Sequence, residues 1–223
     1  ARYLGQVSLT LDRMADHFSA IERDGYFVSP TLISEPTRSR LIDDLPTIEG
    51  AGSRDLLGKA EYRHTVSDIR RSSEIAPLLE NLVAVQCTLF QKTASKNWSV
   101  KPHRDTVVPV AGNGDWDDTG VKDGMSTARP PRAFLDRCLA VRIQLDGAPV
   151  EDISVVAASH FDAEPRSWKD VTPVPVPRGG ALVFRPALVH ASTKLREPQS
   201  RRVLHYLFAP SELPASYSWY HAI

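Results

Sequence analysis

The chain has 223 residues, with 27 Lys and Arg set against 27 Asp and Glu, so its formal net charge is zero. That balance gives no bulk electrostatic reason to expect nucleic acid or an anionic membrane surface as a partner. No apolar run approaches the roughly 20 residues needed to span a bilayer, and residues 1–10 lack the basic-then-apolar texture of a signal peptide. A cytoplasmic protein acting on a small molecule is the expectation, and nothing in the sequence speaks to oligomeric state. Cys87 and Cys138 each lie in an apolar stretch and read as buried, reduced thiols.

In chain order, residues 11–24 place Leu11, Met14, Phe18 and Ile21 at helical spacing, and Gly25 stops the run. GYFVSP reads as a short strand. Residues 34–45 predict a second helix, with Ser34 as N-cap and Pro36 in the first turn. EGAGSRDLLG, residues 49–58, reads as a surface connection, and a third helix is predicted over 72–84, with Pro77 early and Leu78, Leu79, Leu82 and Val83 on one face. From Val83 onward the texture is that of strands: VAVQCTLFQK, WSVKPHRDTVVPV, CLAVRIQLD, ISVVAAS, VTPVPVP, GALVFRPALVHAS and RRVLHYLFA, separated by Gly, Pro, Asn and Asp. Seven such segments without helix-length gaps predict a mainly β fold, an antiparallel sandwich or barrel with flanking helices. One domain over 1–223 is expected, with a helical cover over about 1–82 and the β core over about 83–210. The polar, Gly-rich stretch 111–133 is expected to be a lid loop.

The chemistry is carried by NWSVKPHRDTVVPV. His103 and Asp105 are two apart, and on a strand such residues face the same way. His190, ending GGALVFRPALVHAS, is the candidate third ligand from a distant strand. Two imidazoles and one carboxylate occupy one face of an octahedron and leave the opposite face open, the ligand set of non-haem Fe(II) oxygenases. By itself a His-x-Asp triplet is a weak signal. Its weight comes from two residues beyond His190: Ser192 two positions on and Arg201 eleven on. A dicarboxylate co-substrate needs a fixed cation, and a guanidinium supplies a planar two-point clamp that a hydroxyl supplements. Arg202 competes with Arg201, because adjacent strand residues face opposite ways.

These motifs resemble those of the phytanoyl-CoA dioxygenase superfamily of 2-oxoglutarate-dependent oxygenases. FSAIERDGYFVSPTLIS is similar to the family's opening helix and strand, NWSVKPHRD to its metal-strand motif, and GGALVFRPALVHAS with SRRVLHYLFAP to its closing motif. The resemblance implies a double-stranded β-helix, or jelly roll, with iron on His103, Asp105 and His190. It implies 2-oxoglutarate held at its distal carboxylate by Arg201 and Ser192, and O2 as oxidant; Thr88, a polar residue on the apolar strand VAVQCTLFQK, is a further candidate to meet the co-substrate. Related enzymes that transfer halide lack the carboxylate, so Asp105 points to hydroxylation, or to desaturation or cyclisation. One departure is GAPVEDISVVAASHF, where the family's Gly-Pro turn and Pro-Gly-Ser-His string are reduced to Ser159 and His160; His160 reads as structural.

Substrate-facing candidates are Lys101, on the His103 face by period two, Gln86 on its strand, Arg142 and Gln144 in CLAVRIQLD, and Trp116 in the 111–133 stretch. A buried strand arginine is costly unless it is paired or faces a cavity. Two rival readings are a cupin-like metalloenzyme without oxygen chemistry and a non-catalytic jelly-roll binding module. The first leaves Ser192 and Arg201 without a role; the second predicts no dependence on 2-oxoglutarate.

Overall fold

The computed structural model describes residues 15–48, 52–147, 153–162, 170–195 and 200–223. Leu11, Met14 and the turn within GAPVED lie outside the described residues. The first helix, α1, is seen over 15–23, and Gly25 ends it at φ +83. A Cβ there would lie 2.5 Å from His160 Nδ1, so both the left-handed backbone and the close approach require glycine. Strand β1 (Tyr26–Ser29) follows, then α2 (Glu35–Asp43). The Ser34 side chain accepts from the Thr37 amide at 3.3 Å, the predicted cap, and Pro36 sits in the first turn where it loses no hydrogen bond.

Two expectations fail next. Residues 60–71 form a helix, α3 (Ala60–Arg71), that buries Tyr62, Thr65, Val66 and Ile69 at 3.6-residue spacing. The predicted helix over 72–84 is only a single 3-10 turn, Ala76–Leu79, because Leu82 and Val83 already belong to the strand β3 (Leu82–Lys92). A two-residue strand, β2 (Gly52–Ser53), pairs with the far end of β3.

The remaining strands are β4 (Val100–His103), β5 (Val108–Gly112), β6 (Asp117–Lys122), β7 (Met125–Arg129), β8 (Leu139–Gln144), β9 (Ile153–Val155), β10 (Thr172–Val174), β11 (Ala181–Phe184), β12 (His190–Ser192), β13 (Arg201–Pro210) and β14 (Tyr217–Trp219). A short helix, α4 (Arg132–Leu135), precedes β8. Three antiparallel sheets result, in the orders β1-β11-β8-β13-β3-β2, β10-β9-β12-β4 and β14-β5-β7-β6. This mainly β architecture with few helices is the expected jelly roll.

The 111–133 stretch is not an irregular loop. β6 and β7 form a hairpin turning through Asp123 (φ 51) and Gly124 (φ 80), the positive-φ pair of a two-residue turn. Trp116 packs there between Tyr217 (ring centroids 4.7 Å) and Phe134 (5.0 Å).

Period-two alternation explains where the site sits. From β13, Leu204, Tyr206 and Phe208 point outward into the layer containing Leu41 of α2 and Tyr62, Val66 and Ile69 of α3. Each fully buried side chain of that kind contributes about 1.5–3 kcal/mol. Arg201 and His205, on the opposite face of β13, line the interior. β3 and β8 alternate in phase, and a bulge at Leu207/Phe208 takes up the one-residue offset at the start of β3. Cys87 and Cys138 are buried and free, as expected. Among the described residues no helix is long and apolar enough to cross a membrane.

Candidate active site

β4 and β12 pair antiparallel with His103 opposite His190, which brings the two imidazoles together from distant parts of the chain. Their ring centroids are 4.3 Å apart. Asp105 lies just beyond β4, not on it as its spacing from His103 implies. Its position is set instead by its amide, which donates to the Pro186 carbonyl at 2.9 Å. Its two oxygens lie 3.7 Å from His103 Nε2 and 3.7 Å from His190 Nε2. One donor atom from each of the three residues falls within 4.8 Å of the others.

Both imidazole rings are held in the same way. His103 Nδ1 contacts the Lys101 carbonyl at 2.9 Å, and His190 Nδ1 contacts the Leu188 carbonyl at 3.0 Å. A carbonyl can only accept, so each Nδ1 carries a hydrogen and each Nε2 is turned towards Asp105. Burial pushes the His190 pKa down, against the opposing pull of Asp105. Burial raises the Asp105 pKa, but His190, His205, His103 and Lys122 outweigh it, so the group stays ionised. Two imidazoles and a carboxylate this close fit a divalent first-row ion at the usual ligand distance of about 2.1 Å.

The triad opens into a cavity of about 500 Å³. Arg201 is buried on its wall, whereas Arg202 points away and holds Asp146 through two guanidinium nitrogens at 2.9 and 2.6 Å. Ser192, Thr88, Gln86 and Arg142 also line the cavity. Three substrate-facing expectations are corrected. Lys101 is exposed and contributes only its carbonyl to His103. Gln144 is fully buried, accepting from Arg142 at 3.3 Å, and does not line the cavity. Trp116 belongs to the aromatic packing under the hairpin. His160 is structural: its ring contacts the Glu22 carbonyl at 3.2 Å.

The sequence reading missed further groups. Lys92 lies opposite Arg201 and donates to Ser192 Oγ at 3.1 Å and the Thr193 carbonyl at 2.6 Å. Burial, then Arg201 and Arg142, bring its pKa down to about 7. Burial followed by Arg142 lowers Arg201 to about 9. His205 lines the cavity with its Nε2 3.7 Å from Asp105. Both were within reach of period two, since Gln86, Thr88 and Lys92 share one face of β3, as Arg201 and His205 do of β13. Arg54, Lys122 and Arg129 line the cavity from the hairpin side.

The phytanoyl-CoA dioxygenase (PhyH) family model matches residues 21–203, a span holding the whole triad and Arg201. The chain belongs to the phytanoyl-CoA dioxygenase family. Its fold is similar to the non-haem α-ketoglutarate-dependent epimerase SnoN of nogalamycin biosynthesis, with TM-score 0.66 and 15% identity over 90% of this chain and 82% of that one. The α-ketoglutarate-dependent carbocyclase SnoK of the same biosynthesis gives 0.65 and 18%, over 88% and 84%. HygX from Streptomyces hygroscopicus, crystallised with nickel and 2-oxoglutarate, gives 0.63 and 13%, over 93% and 96%. At these identities the likeness is one of fold. No curated protein matches the sequence.

Proposed function

We propose that the chain is an Fe(II)- and 2-oxoglutarate-dependent dioxygenase that oxidises a polar small molecule and releases succinate and CO2. The observation carrying this reading is the placement of the His103–Asp105–His190 triad and buried Arg201 on the walls of one cavity. The bound iron would supply oxygen activation and, in doing so, the decarboxylation of the co-substrate. The chain's own residues supply the rest. His103, Asp105 and His190 would hold the ion at the cavity wall. Arg201 and Ser192 orient the co-substrate's distal carboxylate. Thr88, with its hydroxyl 3.2 Å from Gln86 Nε2, shapes the adjacent wall. Hydroxylation is the proposed outcome, because Asp105 would supply the carboxylate that halide-transferring relatives lack.

The polar substrate is supported by the lining, where Arg54, Lys122 and Arg129 join Gln86 and Thr127. A basic wall of that kind suits a substrate bearing an acidic group. Epimerisation or ring closure is the second reading, favoured by the reactions named for SnoN and SnoK.

The test is anaerobic titration of the protein with Fe(II) and 2-oxoglutarate, followed by exposure to oxygen and measurement of succinate. A visible iron-to-keto-acid charge-transfer band and succinate formation are expected in the wild type. Asp105→Ala should lose both, together with micromolar iron binding. An unchanged iron affinity in that variant would remove the triad assignment, and absence of the band in the wild type would remove the co-substrate assignment.

A further inference from the structure

We infer that His205 is a positioning residue for the Asp105 carboxylate, donating its Nε2–H to the oxygen that Asp105 does not give to the metal. The inference rests on the metal-site reading above. Asp105 sits on irregular chain after β4, where the Pro186 carbonyl holds its main chain but no strand neighbour orients its side chain. A carboxylate that binds an ion through one oxygen leaves the other needing a donor. His103 and His190 cannot serve, since each spends its Nδ1–H on a carbonyl and would give its Nε2 to the metal.

His205 is placed to do so. Its Nε2 is 3.7 Å from Asp105 Oδ2, the oxygen that also lies 3.7 Å from His190 Nε2. The arrangement therefore requires Asp105 to give the metal Oδ1, on the His103 side, and to turn about its Cβ–Cγ bond until Oδ2 comes within hydrogen-bond distance of His205. The ring itself is held. Phe184 meets it edge-on at 5.6 Å and 77°, and Phe90 at 6.1 Å and 70°. β13 fixes its height through pairing with Thr88 on one side and Arg142 on the other. Among the described residues His205 falls outside the set of mutually close ligand atoms, which marks it as a neighbour of the ligands and not one of them.

The test uses the full chain and Mn(II), whose free aqueous ion is counted by its electron paramagnetic resonance signal. His205→Phe keeps a ring and removes the donor; His205→Gln restores an N–H. The phenyl variant is expected to bind Mn(II) 10–100-fold more weakly, on the order seen when a group supporting a ligand is lost. The glutamine variant should recover most of the affinity, and the iron-to-keto-acid band should shift in Phe and return in Gln. Circular-dichroism melts check the fold; if Phe unfolds, His205→Leu takes its place against Gln. Pulsed resonance of the Cu(II)-substituted protein should count two bound imidazoles, with and without His205.

Unchanged Mn(II) affinity in both apolar variants overturns the inference. So does a loss confined to 2-oxoglutarate affinity, which would make His205 a co-substrate contact, and so does a count of three imidazoles in the wild type. If the wild type takes up no Mn(II), the metal-site reading itself falls, and that result is distinct from any His205 effect.

Discussion

Arg201 and Arg202 are chemically identical neighbours with opposite surroundings. Arg201 is 4% exposed on the cavity wall; Arg202 is spent on Asp146, which also accepts the Arg202 amide at 2.8 Å. The pleat alone separates them, and no composition argument could. Arg201→Gln is therefore expected to raise the half-saturating 2-oxoglutarate concentration by about 100-fold, the loss of roughly 3 kcal/mol that a charge-assisted bond carries. Arg202→Gln should leave that concentration within about threefold and instead lower stability by about 1 kcal/mol. Titrating succinate formation with 2-oxoglutarate, beside denaturant unfolding of both variants, checks the assignment. Equal effects of the two substitutions on co-substrate use would reverse it.

Elements with local chemical punctuation were legible in the sequence. Ser34 and Pro36 announced α2, Gly25 the end of α1, and the apolar runs β3, β8 and β13. Ser34→Ala is accordingly expected to lower unfolding free energy by about 1 kcal/mol, the usual worth of a cap, with co-substrate affinity unmoved. Elements decided by tertiary packing were not legible. α3 begins with no capping side chain and was hidden behind a Gly-rich stretch, while its burial of Tyr62 and Val66 depends on a sheet formed later in the chain. The β6–β7 hairpin did carry a signal, the Asp123-Gly124 turn, but polar composition masked it. At the site, the His-x-Asp spacing singled out two residues that the fold does bring together with His190, for a partly mistaken reason. Asp105 is brought inward by a bond to Pro186, not by strand alternation, and a contact across the fold cannot be read from a triplet.

Across the whole molecule, charges that balance along the chain do not balance in space. Lys92, Arg142 and Arg201, from three different strands, converge on one wall. The folded Lys92 pKa, near 7, lies below its ordinary 10.5, so between those values the unfolded chain binds more protons than the folded one. Stability contributed by this group accordingly rises with pH across that window, and Lys92→Met should flatten the rise. A bound dicarboxylate beside Lys92 would favour its charged form, so 2-oxoglutarate binding at pH 8 is expected to take up protons. Calorimetry in two buffers of different ionisation enthalpy measures this, and identical heats in both would exclude it.

The main-chain bond from Asp105 to Pro186 has a mechanical meaning as well. With the pairing of His103 to His190, it ties the two ligand-bearing stretches together through peptide groups, whatever ion is present. The centre would then be a socket and not a rivet: a bound ion would not be needed to staple the fold, as structural zinc is in small domains. Chelator treatment should leave the far-ultraviolet circular dichroism unchanged. Added Mn(II) should raise the melting temperature only gradually, in proportion to the logarithm of its concentration above Kd. A collapse of secondary structure on chelation would show the opposite, and so the rate at which the protein exchanges its metal is expected to be set by ligand release, with no unfolding on the way.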